Sequence, residues 1–248
     1  MMKRILSVCL VAIFLLSAST AFAQEKPSKK RDWAQFYYYE KSNAKYHASG
    51  NYPDVVFLGN SITQGWAGKC KDFFKKNNFA GRGIGGQTTS EMLVRFRRDV
   101  IELKPRAVVI MAGINDIARN NGEISLENIM GNIISMCELA KLHKIKVLLC
   151  SVTPAYEFRW RKNIDPKESI IRLNEMLKEY AKKNKLTYVD YYSALIDERG
   201  GMNRKYHKDE VHPNTLCYAE VLQPIVLKAI NKTLHTKKYT YTTPVPEK

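Results

Sequence analysis

The sequence predicts an α/β protein: a three-layer α/β/α sandwich around a central, mostly parallel five-stranded sheet. Three observations carry this. Apolar runs of strand length recur at 55–58, 79–80 with 83–84, 107–111, 146–150 and 187–190. The segments between them carry apolar residues at helical spacing, and strand alternating with helix builds a parallel sheet covered on both faces. Without its first 23 residues the chain has about 225, enough for one such domain with a substantial core and short for two.

Taken in order, residues 1–23 read as a signal peptide: Lys3 and Arg4, an apolar stretch from Val8 to Leu16, then Ala21-Phe22-Ala23 before Gln24. Cys9 precedes the apolar stretch, whereas a lipid-modified cysteine should follow it, so Cys9 is read as discarded signal. No later run reaches the ~18 apolar residues of a membrane span, and the mature protein is expected to be periplasmic or secreted, without stable membrane insertion. Segment 24–52, with Trp33 and Tyr37-Tyr38-Tyr39, is expected to pack on the domain as an N-terminal extension.

The domain itself is expected over 53–234. Ile129, Met130, Ile133, Ile134, Met136, Cys137 and Ala140 form one helical stripe; Ile170, Leu173, Met176, Leu177 and Tyr180 a second; Leu216, Ala219, Leu222, Val226 and Ile230 a third. Thr88 with Glu91, and Asp165 with Pro166 and Glu168, read as helix starts. Pro224 inside the third stripe predicts a kink or break. The Thr, Lys and Pro content from His235 onward predicts a flexible C-terminal tail over 235–248. Cys137 and Cys150 read as small buried hydrophobes and not as a disulfide framework.

The net charge of +16 raises nucleic acid as a partner. The lysines are instead spread along helices, as on a solvated face (Lys141, Lys144, Lys178, Lys182, Lys183), and no nucleic-acid fold signature accompanies them, so no nucleic acid is expected.

Gly59-Asn60-Ser61-Ile62-Thr63 follows the first apolar run, and Asp209-Glu210-Val211-His212-Pro213 lies near the other end. A serine, a histidine and an acid at strand-to-loop junctions are the parts of a nucleophilic hydrolase. Gly85-Gly86 and Gly113-Ile114-Asn115-Asp116 could supply donors to a developing oxyanion. Ser61, Gly86 and Asn115 all fall at carboxyl ends of strands, where parallel α/β sheets bind ligands.

In that order the four blocks resemble the SGNH (GDSL-type) hydrolase family, over about 54–230 of the chain. The resemblance implies Ser61 as nucleophile, His212 as base and Asp209 as the acid orienting it. It places the N–H groups of Ser61 and Gly86 and the side-chain amide of Asn115 in the oxyanion hole. One departure stands out: Asn60 occupies the position where the family usually has aspartate, which bears on local hydrogen bonding and not on the nucleophile.

Other readings compete. Gly81-Arg82-Gly83-Ile84-Gly85-Gly86 satisfies the G-x-G-x-x-G pattern of a dinucleotide site, but it lies on the second strand and no acid follows to bind a ribose. His207, Asp209 and His212 have irregular spacing for a metal site, and His207 reads as a surface or loop residue. No metal or cofactor is expected. Asp116 is expected to hold its own loop through backbone hydrogen bonds.

For substrate, Trp66, Tyr156 and Trp160 are candidate contacts, with Phe158, Arg159 and Arg161 adding aromatic and cationic character. Flat rings beside hydrogen-bonding cations suit a sugar ring, an acidic saccharide or a phospholipid head group, and the competing reading is that Trp66 and Trp160 pack against the body of the domain. The expected activity is hydrolysis of acetyl or other short acyl esters, with acylated carbohydrate as the partner substrate. The alternatives are lysophospholipase or thioesterase activity, and a non-catalytic carbohydrate-binding protein.

Overall fold

The computed structural model describes residues 32–241. The signal-peptide reading, Cys9 and the end of the expected tail lie outside them.

Helix α1 (Tyr37–Ser49) precedes β1 (Val55–Gly59). Helices α2 (Ser61–Lys69) and α3 (Lys71–Lys76) lead to β2 (Phe79–Gly83), and α4 (Thr89–Asp99) leads to β3 (Ala107–Met111). The short α5 (Ile114–Ile117) and the long α6 (Leu126–Leu142) connect to β4 (Lys146–Cys150), and α7 (Lys167–Lys183) to β5 (Thr187–Val189). Short helices α8 (Tyr192–Leu195) and α9 (Thr215–Cys217) come before α10 (Gln223–Thr233).

All five strands are parallel, in the order β2-β1-β3-β4-β5. This is the expected sheet, and its order reverses beside β1, where the chain leaves first one way and then the other. Such a switch point opens a crevice at the carboxyl ends. The register matters as much as the order. Gly59 of β1 lies opposite Gly83 of β2 and Met111 of β3, so these strands end level and their following loops emerge side by side.

Alternate residues of each strand feed two cores. Val56, Leu58, Val108 and Ile110 pack with Met92, Phe96, Ile129, Ile133, Leu173 and Leu177 of α4, α6 and α7. Val55, Phe57, Val109 and Met111 meet Trp66, Phe73, Val226 and Ile230 of α2, α3 and α10 on the opposite face. The three expected stripes are thus core faces. The glycines of β2 explain how closely α2 lies on the sheet. A Cβ at Gly83 would sit 2.2 Å from the Gln64 nitrogen, and one at Gly81 would sit 2.4 Å from the Ala67 Cβ. The glycine motif is therefore accounted for by helix packing in its first half.

Local signals hold with two corrections. The Thr88–Glu91 capping box is present. Before α7, however, Pro166 takes the cap position, while the Asp165 carboxylate accepts the Lys167 N–H at 3.1 Å. Pro224 stands at the start of α10, directly after a π-helical turn over Tyr218–Leu222 that absorbs the expected break. The tail does not fray over 236–240. Tyr239 is buried, its hydroxyl donates to Asp54 at 3.1 Å, and Thr240 exchanges two hydrogen bonds with the Asn77 side chain. Composition predicted disorder there because these partners are distant in sequence. The four described cysteines are all free, with Cys137, Cys150 and Cys217 buried and Cys70 partly so.

Candidate active site

Ser61 opens α2, two residues past β1. The Asn60 side chain accepts the Ile62 N–H at 3.0 Å, so asparagine serves as the N-cap where the resemblance anticipated aspartate. The Ser61 Oγ lies 2.9 Å from His212 Nε2, and His212 Nδ1 lies 2.7 Å from Asp209 Oδ2. The other Asp209 oxygen accepts the backbone N–H groups of His212 at 2.8 Å and Val211 at 3.2 Å. Burial pushes the Asp209 pKa up, but the His212 N–H, its ring and the Val211 N–H outweigh that and hold the carboxyl below its ordinary range. An ionised Asp209 takes a proton-bearing Nδ1, which leaves Nε2 with a lone pair toward Ser61.

The turn carrying the acid and the histidine is braced from behind. Glu210 sits at φ 69°, a left-handed conformation costly for a side-chain-bearing residue. Its carboxylate is gripped by Arg199 at 3.2 Å, and Arg199 also pairs with Asp197 at 2.7 Å and donates to the Met202 carbonyl. His207 belongs to this brace. Its Nδ1 accepts the Glu210 N–H at 2.9 Å and its side chain is 8% exposed, so of the expected surface or loop residue the loop holds and the surface does not. Among the described residues no three His, Cys, Asp or Glu side chains converge as a metal site.

Across the crevice, Gly86 adopts φ 78°, which only glycine takes without strain. Its carbonyl accepts from Asn120 at 3.0 Å, and the Gly85 N–H donates to the Gln64 side chain at 2.8 Å. Buried Asn115 uses one amide hydrogen on the Gln87 carbonyl at 2.9 Å and keeps the second. No acceptor among the described residues takes the N–H of Ser61 or of Gly86. Asp116 was expected to hold its own loop, and its carboxylate instead pins that loop to the start of α4, accepting the N–H and hydroxyl of Thr89, 27 residues away. Burial raises its carboxyl to about 6 despite those donors.

Several supporting residues escaped the sequence reading. Fully buried Arg95 donates to the Gly59 carbonyl at 3.0 Å, to Gln87 at 2.6 Å and to Asp99 at 3.0 Å, tying the end of β1 to the glycine loop. The N-terminal segment touches the same loop. Gln87 donates to the Ala34 carbonyl at 3.0 Å, the Tyr39 hydroxyl donates to the Gly83 carbonyl at 2.5 Å, and Gln64 donates to the Tyr38 hydroxyl. One signal was available: Arg95 and Asp99 interrupt the apolar stripe of α4 at positions i and i+4.

The three aromatic candidates separate. Trp66 is 1% exposed, stacked against Phe73 and Tyr218 beneath the sheet, so it has no face to offer and its assignment as a substrate contact is overturned. Trp160 is 42% exposed, with its ring centroid 6.2 Å from that of His212 and its N–H donated to Asn120 at 3.2 Å. Tyr156, also exposed, carries Arg199 and Lys167 over its ring at 5.0 and 4.8 Å.

Comparison with known proteins gives the family and the fold. The model of the GDSL-like lipase/acylhydrolase family matches residues 57–219. Two solved structures are similar along most of the chain. One is a candidate acylhydrolase of Bacteroides fragilis NCTC 9343, 46% identical with a TM-score of 0.78, covering 82% of this chain and 98% of that one. The other is a GDSL-like lipase of Bacteroides thetaiotaomicron VPI-5482, 44% identical at 0.76, covering 80% and 98%. An uncharacterised lipoprotein of Bacillus subtilis (strain 168), YqeF, is 26% identical over 182 residues, 60% of this chain and 75% of its own. The fold and site define an SGNH hydrolase, a class that acts on esters. The chain belongs to the GDSL-like lipase/acylhydrolase family.

Proposed function

We propose that the protein is an exported serine esterase that removes acetyl or other short acyl groups from carbohydrate. The observation that carries the catalytic part is the continuous Ser61–His212–Asp209 relay, with links of 2.9 and 2.7 Å. His212 Nε2 takes the Ser61 proton as the oxygen attacks the ester carbonyl, while Asp209 steadies the imidazolium that forms. The tetrahedral oxyanion meets the Ser61 and Gly86 N–H groups and the second amide hydrogen of Asn115. These donors are held in place before the reaction by Gln64, Asn120 and the Gln87 carbonyl. His212 then protonates the leaving alcohol, and water repeats the sequence on the acyl-enzyme.

Trp160 supports the carbohydrate part, since an exposed ring beside the base offers a flat face where the alcohol leaves. Export rests on the composition of residues 1–23.

A fluorophosphonate probe tests the class. A mass shift on the Ser61 peptide, lost in His212→Ala, is expected; a protein left unlabelled while folded would refute the esterase. A series of nitrophenyl esters tests the acyl preference. A groove for long chains gains up to ~0.8 kcal/mol for each methylene it buries, so a lipase improves along the series. We expect the highest kcat/KM between acetate and butyrate and a fall by octanoate.

A further inference from the structure

A groove of about 450 Å³ runs along Trp160, walled by Arg119, Trp160, Arg161, Lys162, Asn163 and Ile164. It contributes three cations and no carboxylate. Among the described residues no acid lies within ion-pair distance of Arg161 or Lys162, and Arg119 meets only Glu123, a solvent-exposed pair. Surface pairs of that kind hold a cation weakly, so Arg119 remains able to turn to another anion. The wall is also fixed in shape. The Arg161 N–H donates to the Phe158 carbonyl at 2.8 Å and the Ile164 N–H to the Arg161 carbonyl at 3.1 Å, while the indole N–H is tethered to Asn120.

Trp160 is shared between this groove and the surroundings of His212, its ring centroid 6.2 Å from that of the imidazole. We infer that the groove is an alcohol-side subsite for an anionic group, so that the preferred substrate is a short acyl ester of a negatively charged alcohol, an acidic saccharide or a phosphate-bearing polyol. This rests on the esterase reading above. Guanidinium forks match carboxylate and phosphate alike, and an aromatic face beside them seats the ring or carbon skeleton that bears the charge.

The test compares an O-acetylated uronic acid glycoside with its uronamide, equal in size and different by one charge, using the whole protein. A second arm uses O-acetyl glycerol 3-phosphate against O-acetyl glycerol. Two or three partly solvated cations near one anion give an expected KM about tenfold lower for the charged member of a pair, at similar kcat. The preference should shrink as salt shortens the Debye length, and Arg161→Gln with Lys162→Gln should abolish it while nitrophenyl acetate turnover is unchanged. A charge preference in either arm supports the groove, and the arm with the lower KM names the source of the anion. Equal kcat/KM for charged and neutral members of both pairs, or a preference that survives the double substitution, overturns it. Nitrophenyl acetate turnover and Ser61 labelling on the same preparation separate the two failures: if both are absent the esterase reading falls, and if both are present without charge preference only the groove does.

Discussion

The Gln64 side-chain oxygen accepts the Gly85 N–H at 2.8 Å. Gln64 stands one helical turn after Ser61, so this single bond fixes the helix that Ser61 opens against the loop that presents Gly86. Its amide hydrogens reach Tyr38, which brings the N-terminal segment into the same assembly. Gln64→Ala should lower kcat about tenfold with little change in KM, because the loop loses its setting and the alcohol-side surface does not. Tyr38→Phe should have a smaller effect in the same direction, and the two should be non-additive in a double-mutant cycle. Full additivity would separate the N-terminal segment from the loop.

Ser61→Ala and His212→Ala should each bring ester hydrolysis to near background while circular dichroism and melting temperature stay close to the parent. Asp209→Asn should keep somewhat more activity, since the ring remains with poorer orientation. A substantial rate in Ser61→Ala, on protein free of host esterases, would end the triad assignment.

Asn115→Ala should reduce kcat by ~10²–10³-fold, far more than it alters KM. It also strands the buried Gln87 carbonyl, which costs about 1–3 kcal/mol of stability. Measuring both on one preparation separates the roles, since a purely structural asparagine would lose stability and leave the kcat of the folded fraction intact.

The fold was legible because its evidence is local. Each strand is an apolar run and each core helix a stripe, and strand-end position brought Ser61, Gly86 and Asn115 to notice before any contact was visible. What escaped depends on packing between distant segments. Trp66 reads the same whether it faces solvent or lies under Phe73 and Tyr218, and only the close seating of α2 on Gly81 and Gly83 decides it. Tyr239 sits in a stretch whose composition suits disorder, yet Asp54 and Asn231 hold it. His207 could not be placed without Glu210 and Arg199, whose positions depend on an unusual backbone turn.

Stability should carry a pH signature from Asp116. Its native pKa of about 6 lies above the ordinary carboxyl value of 3.8, so between those values the folded protein binds the proton more tightly than the unfolded chain. This group's contribution is therefore most favourable below pH ~4 and declines as pH rises to about 6. Asp116→Asn should remove that slope, so the mutant's unfolding free energy relative to the parent should rise between pH 4 and 7, by on the order of 1–3 kcal/mol. A relative stability that is flat across the interval would refute the buried, proton-holding carboxyl.

The two tryptophans should behave oppositely. Trp66→Ala removes a fully enclosed ring and should cost about 3–5 kcal/mol of stability. Trp160→Ala should leave melting nearly unchanged and raise KM for an acetylated sugar more than for a small aryl acetate, whose alcohol part is too small to reach the ring. Equal KM changes on both substrates would make Trp160 a structural residue only.

The enclosed cysteines give the molecule an internal clock. Burial lifts the Cys137 and Cys217 thiols to about 12, and raises Cys150 further still, so none carries appreciable thiolate while the chain is folded. Alkylation at these positions must wait for an opening event, and they lie in different layers: Cys137 on α6, Cys217 on α9, Cys150 at the end of β4. Pulse-alkylation of these native cysteines would thus report, layer by layer, whether the sandwich opens as one unit or sheds one helical layer first. Partly buried Cys70 marks the earliest time point.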